Sequence, residues 1–138
     1  MSSSSFEPPE VTVRLDVYGF RESPEEITGL LGLSPTDVWF QGELVPGSIV
    51  EHKENHWIID SGPHRSLLDA TQSVLDIAWP AAARFAALPS DARVQLYCVI
   101  YDLDRTVTLS FPVPTLEKLA ALRAELNLVY YGFMSDEE

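Results

Sequence analysis

His52, Glu54 and His56 place three ligand-type side chains within five positions. On one continuous strand, residues two apart face the same way, so His52 and His56 would present two imidazoles to a divalent metal with Glu54 beside them. If the chain instead turns at Lys53, Glu54 and Asn55, the histidines become cross-strand neighbours, with Asp60 and His64 as further ligand types. The spacing is not the His-Glu-x-x-His of zinc proteases. A second cluster runs from Ser61 to Ser66, where hydroxyls, an imidazole and a guanidinium lie in a loop between a strand and a helix. Backbone N–H groups and the helix dipole favour anions there, so Ser61, His64, Arg65 and Ser66 would hold a phosphorylated or carboxylated small ligand. The simpler role for Ser61 or Ser66 is to cap the helix.

Catalytic arrangements fare less well. Ser61 or Ser66, His64, and Asp60 or Asp69 supply the residue types of a hydrolytic triad, but a triad is defined by geometry, and no Gly-x-Ser-x-Gly element is present. Cys98 lies between Leu96 and Ile100 at same-face spacing, which suits a buried small hydrophobe better than a nucleophile. Helix-dipole complementarity explains Glu25 and Glu26, and turn chemistry explains Asp102 and Asp104. No catalytic residue is assigned. Aromatic side chains on alternating faces leave Trp39, Trp57 and Tyr131 as candidate partner anchors, because an exposed ring buries much area at small entropic cost.

The elements that must position these groups start with Val11–Phe20, where Val11, Val13, Leu15 and Val17 alternate with polar residues, the period of a half-buried strand. Ser23, Pro24 and Glu26 read as N-cap, first helical residue and capping-box glutamate; Ile27, Leu30 and Leu31 form the apolar face, and Gly32 ends the helix. A strand over Val38–Gly42 and a hairpin of Ser48–His52 with His56–Asp60 follow. The longest helix starts near Ser66 and carries Leu67, Leu68, Thr71, Val74, Leu75, Ala78 and Trp79; Pro80 predicts a kink or a fresh short helix through Leu88. Val94–Tyr101 and Thr106–Val113 read as a second hairpin, with its first strand central. Thr115 caps a last helix bearing Leu116, Leu119, Leu122 and Leu126 that stops near Asn127, and Leu128–Phe133 closes the chain. This order predicts an α+β fold, a mostly antiparallel sheet with about three helices packed on one face. Residues 1–10 read as a flexible tail, 11–133 as one domain, and 134–138 as an acidic tail.

Composition narrows the function. The 138 residues are 46% hydrophobic and 22% charged, the make-up of an ordinary globular domain. The net charge of −12 repels phosphate backbones and anionic membranes, so neither nucleic acid nor a bilayer is expected as a partner, whereas a basic protein would be drawn in. One cysteine, no pair of cysteines for a metal or cluster, and no basic leader or long apolar run predict a cytoplasmic protein that needs no cofactor.

The run Ser23-Pro24-Glu25-Glu26-Ile27-Thr28, with Leu31, Gly32, Leu33 and Pro35, then Gly42-Glu43 and the isolated Trp57, resembles the uncharacterised bacterial family called domain of unknown function 4279. Leu119, Leu122, Leu126 and Tyr130 are similar to its ending. The resemblance implies a compact bacterial domain and supplies no site residue. Two functions stay open: a non-catalytic binding or inhibitor protein, such as an immunity protein with an acidic surface toward a basic protein, and a small enzyme or anionic-metabolite-binding domain using the 60–66 loop and nearby histidines.

Overall fold

The computed structural model describes residues 10–103 and 109–133. The alternating Val-Leu segment forms β1 (Glu10–Tyr18), which fully buries Val13, Leu15 and Val17. Four further strands, β2 (Asp37–Trp39), β3 (His56–Asp60), β4 (Arg93–Leu103) and β5 (Ala124–Phe133), complete a sheet of order β2-β3-β1-β4-β5. β1 runs antiparallel to both β3 and β4, and β3 antiparallel to β2; among the described strands only β4 and β5 are parallel.

Local chemistry sets the helices. In α1 (Pro24–Leu31), the Glu26 N–H donates to Ser23 Oγ at 3.3 Å and the Ser23 N–H donates back to Glu26 Oε1 at 3.1 Å, while Gly32 ends the helix at φ 68°. α2 (Leu67–Ala78) is capped by Ser66, whose hydroxyl accepts from the Asp69 N–H at 3.0 Å. Pro80 sits in a 3-10 turn over Trp79–Ala81 that leads into the one-turn α3 (Ala82–Phe85). α4 (Val113–Ala121) provides the crossover that parallel pairing of β4 and β5 requires. Ile27 and Leu31 of α1, Val74 and Leu75 of α2, Phe85, and Leu119 join Val13, Leu15, Trp57, Leu96 and Cys98 in one contiguous core. Burying each such Leu or Ile stabilises the fold by about 1.5–3 kcal/mol. The helices thus cover one face of the sheet, as expected for α+β, and the even-numbered side chains of β1 look out from the other.

Several expectations are corrected. The hairpin of Ser48–His52 with His56–Asp60 does not form: β3 pairs instead with β2 and β1, and residues 48–52 turn back on 42–45, through an isolated Leu44–Glu51 bridge and backbone hydrogen bonds such as that from the His52 N–H to the Glu43 carbonyl. β2 ends at Trp39, short of Gly42. Residues 109–112 are not in a strand, and Val113 starts α4, so β4 takes β5 rather than Thr106–Val113 as its second neighbour. α4 begins after Pro112, with Thr115 inside it. It ends at Ala121 with Leu122 as its C-cap, because Arg123 turns the backbone at φ 60°, and Leu126 lies on β5. Glu10, expected in a tail, opens β1. The rest of that tail, the turn residues Asp104 and Arg105, residues 106–108 and the 134–138 segment lie outside the described residues.

Candidate functional site

Alternation along β1 sends Arg14, Asp16 and Tyr18 to the uncovered face, and the ladder sets Tyr18 between His56 and Arg93, Asp16 between Ile58 and Gln95, and Arg14 between Asp60 and Tyr97. Asp16 is only 4% exposed. A buried carboxylate must be hydrogen-bonded, and Asp16 is. His56 Nδ1 lies 3.0 Å from Oδ1 and 2.9 Å from Oδ2, and Gln95 Nε2 donates to Oδ2 at 2.9 Å. The Asn127 amide donates in turn to Gln95 Oε1 at 2.7 Å, so one chain of polar contacts crosses β3, β1, β4 and β5. A carboxylate only accepts, so the imidazole donates from Nδ1; among the described residues no hydrogen-bond partner meets its Nε2.

Aromatic rings frame this pair. Tyr18 stacks on His56 with centroids 5.6 Å apart, and Trp39 lies 5.0 Å away in a tilted arrangement. Arg14 stands over the Trp39 ring at 5.6 Å and bonds Asp60 Oδ2 at 3.2 Å. Arg14, Asp16, Trp39, His56, Gln95 and Tyr97 line a depression of about 220 Å³. At its side the Tyr18 hydroxyl donates to Glu125 at 3.1 Å; burial, and then that bond, raise its pKa above the usual phenol value. Arg93 closes the group, lying over the Tyr18 ring at 5.0 Å and bonded to Glu125.

The residues singled out by sequence are dispersed. His52 and His56 both meet Trp39, His52 by stacking at 4.7 Å, but His56 Nδ1 is engaged by Asp16. Among the described residues no three His, Cys, Asp or Glu side chains gather to hold a metal. In the 61–66 loop, Ser61 Oγ accepts from the Val13 N–H and donates to the Gly62 carbonyl, Ser66 caps α2, and the His64 backbone bridges Val11. Arg65 follows at the entrance to α2. Trp57 is a correction: it is fully buried, with its indole N–H donated to Thr28 Oγ1 at 3.0 Å, so it fills the core and offers a partner nothing. Tyr131 is 49% exposed and stacks on Tyr101 at 5.0 Å. Cys98 is buried, and burial pushes its thiol up to about 12. Sequence reasoning missed Arg14, Asp16, Tyr18, Gln95 and Tyr97; the polar half of the β1 alternation was the available signal for the first three.

No described helix is long and apolar enough to cross a membrane. No curated protein and no solved structure matches the chain. A family model described as Domain of unknown function (DUF4279) matches residues 9–133, a span that takes in every described strand and helix. The chain belongs to that family.

Proposed function

We propose that this is a non-catalytic binding or inhibitor domain that presents its uncovered sheet face to a basic protein, in the manner of an immunity protein. The observation that carries the reading is the depression between Trp39 and Tyr97, floored by the buried Asp16 and its His56 partner. Rings held by stacking lose little freedom on binding and bury large area, which is what an interface anchor needs. Charge supports the same partner. On this face, among the described residues, Glu10, Asp16, Asp37, Asp60 and Glu125 accompany only two guanidiniums, Arg14 and Arg93, and both are already paired with carboxylates. The chain's net charge of −12 extends that field and would speed encounter with a cationic protein.

Affinity capture from the native cell, with wild type and Trp39→Ala side by side, tests the reading. The expected result is a basic protein retained by wild type and lost by the variant, whose association slows steeply as ionic strength rises. A captured set that ignores both Trp39 and salt refutes it. Capture of nothing, together with an anionic metabolite that raises the melting temperature, would transfer the function to a small enzyme or metabolite-binding domain.

A further inference from the structure

We infer that β5 is a self-association edge, at which two copies of the chain pair antiparallel about a two-fold axis to form one ten-stranded sheet. β5 is ten residues long, free of proline, and among the described residues it has a strand on one side only, β4. Monomeric proteins protect such edges with charges, prolines or bulges. Here Leu126, Leu128 and Tyr130 are 42%, 46% and 46% exposed on the helix-bearing side of the strand, at its outer margin.

Charge selects the occupant. In a chain of net −12, the stretch from Val113 to Phe133 balances Glu117 and Glu125 against Lys118 and Arg123 and is neutral. Glu125 is further occupied by Arg93 and Tyr18. A second copy, repelled elsewhere by its own surplus of carboxylates, meets no net charge along that stretch.

Register makes the edge self-complementary. A two-fold axis normal to the sheet keeps the helices of both copies on one side, so facing residues must share parity. With Leu128 on the axis, Leu128 faces its own copy and Leu126 faces Tyr130 twice, which removes from water the apolar side chains that α4 leaves uncovered. Asn127 then faces Val129 on the other side of the sheet.

Sedimentation velocity of the full chain at concentrations up to about 100 µM tests this. The expected species has about twice the 15.4 kDa monomer mass. Leu128→Lys sets two ammonium groups against each other at the axis and should weaken the dimer on the order of 100-fold or more. Leu126→Lys should do the same should the first variant fold poorly, whereas Leu44→Lys, in the 40–52 loop, should leave the dimer intact. Amide exchange along β5 should slow with rising protein concentration. A wild type that stays monomeric throughout, or folded Leu128→Lys and Leu126→Lys proteins that still dimerise, would overturn the inference.

Discussion

Replacing Asp16 with alanine removes one acceptor group and strands two donors. His56 Nδ1 and Gln95 Nε2 both point at the Asp16 carboxylate, at 2.9 Å from Oδ2, on a site that is 4% exposed. Each buried donor left without a partner costs about 1–3 kcal/mol. Because the His56 side chain keeps 17% of its surface in water, it recovers part of that loss, and the sum for Asp16→Ala is about 2–4 kcal/mol. Against the ~5–15 kcal/mol of a typical domain that is a large share. With a urea slope of about 1–3 kcal/mol per molar, the unfolding midpoint should fall by roughly 0.7–4 M. Asp16→Asn keeps the shape: its amide oxygen still accepts from Gln95, and its NH2 donates to His56 once the imidazole changes tautomer. That variant should lose only about 1 kcal/mol. Adding His56→Ala to wild type and to Asp16→Ala completes a double-mutant cycle, in which a coupling of about 1–2 kcal/mol measures the pair itself. An Asp16→Ala protein within about 0.5 kcal/mol of wild type would refute the claim that this carboxylate organises the uncovered face.

Three further outcomes follow from the same geometry. Trp57→Ala should cost about 3–5 kcal/mol and Trp39→Ala far less, as thermal melts will read, and in a Trp79→Phe background, which removes the third and exposed indole, iodide should quench Trp39 fluorescence while leaving Trp57 untouched. Native Cys98 should resist a thiol reagent at pH 8 and react once urea unfolds the chain. Because folding raises this thiol from 9.0 to about 12, its contribution to stability is complete below pH 9 and should be lost progressively between pH 9 and 12; in chemical denaturation at alkaline pH, Cys98→Ala should remove that part of the decline and leave the part due to the raised Tyr18 phenol. Gly32→Ala should lower stability by about 1 kcal/mol in urea titration, since φ 68° disfavours a side chain and the new methyl would meet the Arg84 guanidinium.

What could be read without coordinates follows a physical divide. α1 and the start of α2 were legible because a capping box and an N-cap serine are formed by residues three apart, and β1 because its alternation is strictly local. Pairing partners are not local. Nothing in Ser48–His52 reveals that β3 is already flanked by β1 and β2, so a β-rich segment of suitable length reads as a hairpin arm that the sheet has no place for. The boundary of α4 and β5 was misplaced because Leu119, Leu122 and Leu126 continue a helical period, while the turn at Arg123 leaves no mark in composition. At the candidate site, Arg14 and Asp16 stand out as the polar half of β1. Their neighbours His56 and Gln95 arrive from 40 and 79 positions away, through a ladder register that side-chain types alone do not encode.

The position of β1 at the middle of the sheet also orders events during synthesis. It is made before the other described strands, yet Val17 lies opposite Trp57 and Val13 opposite Cys98. At about 5–20 residues per second, some 80 residues of waiting amount to roughly 4–16 s in which an alternating Val-Leu segment has no native ladder on its β4 side. Contacts this distant in sequence close slowly, and an unpaired strand of that composition is a target for chaperones. The innermost strand of the finished protein is therefore the one that the growing chain must shield longest.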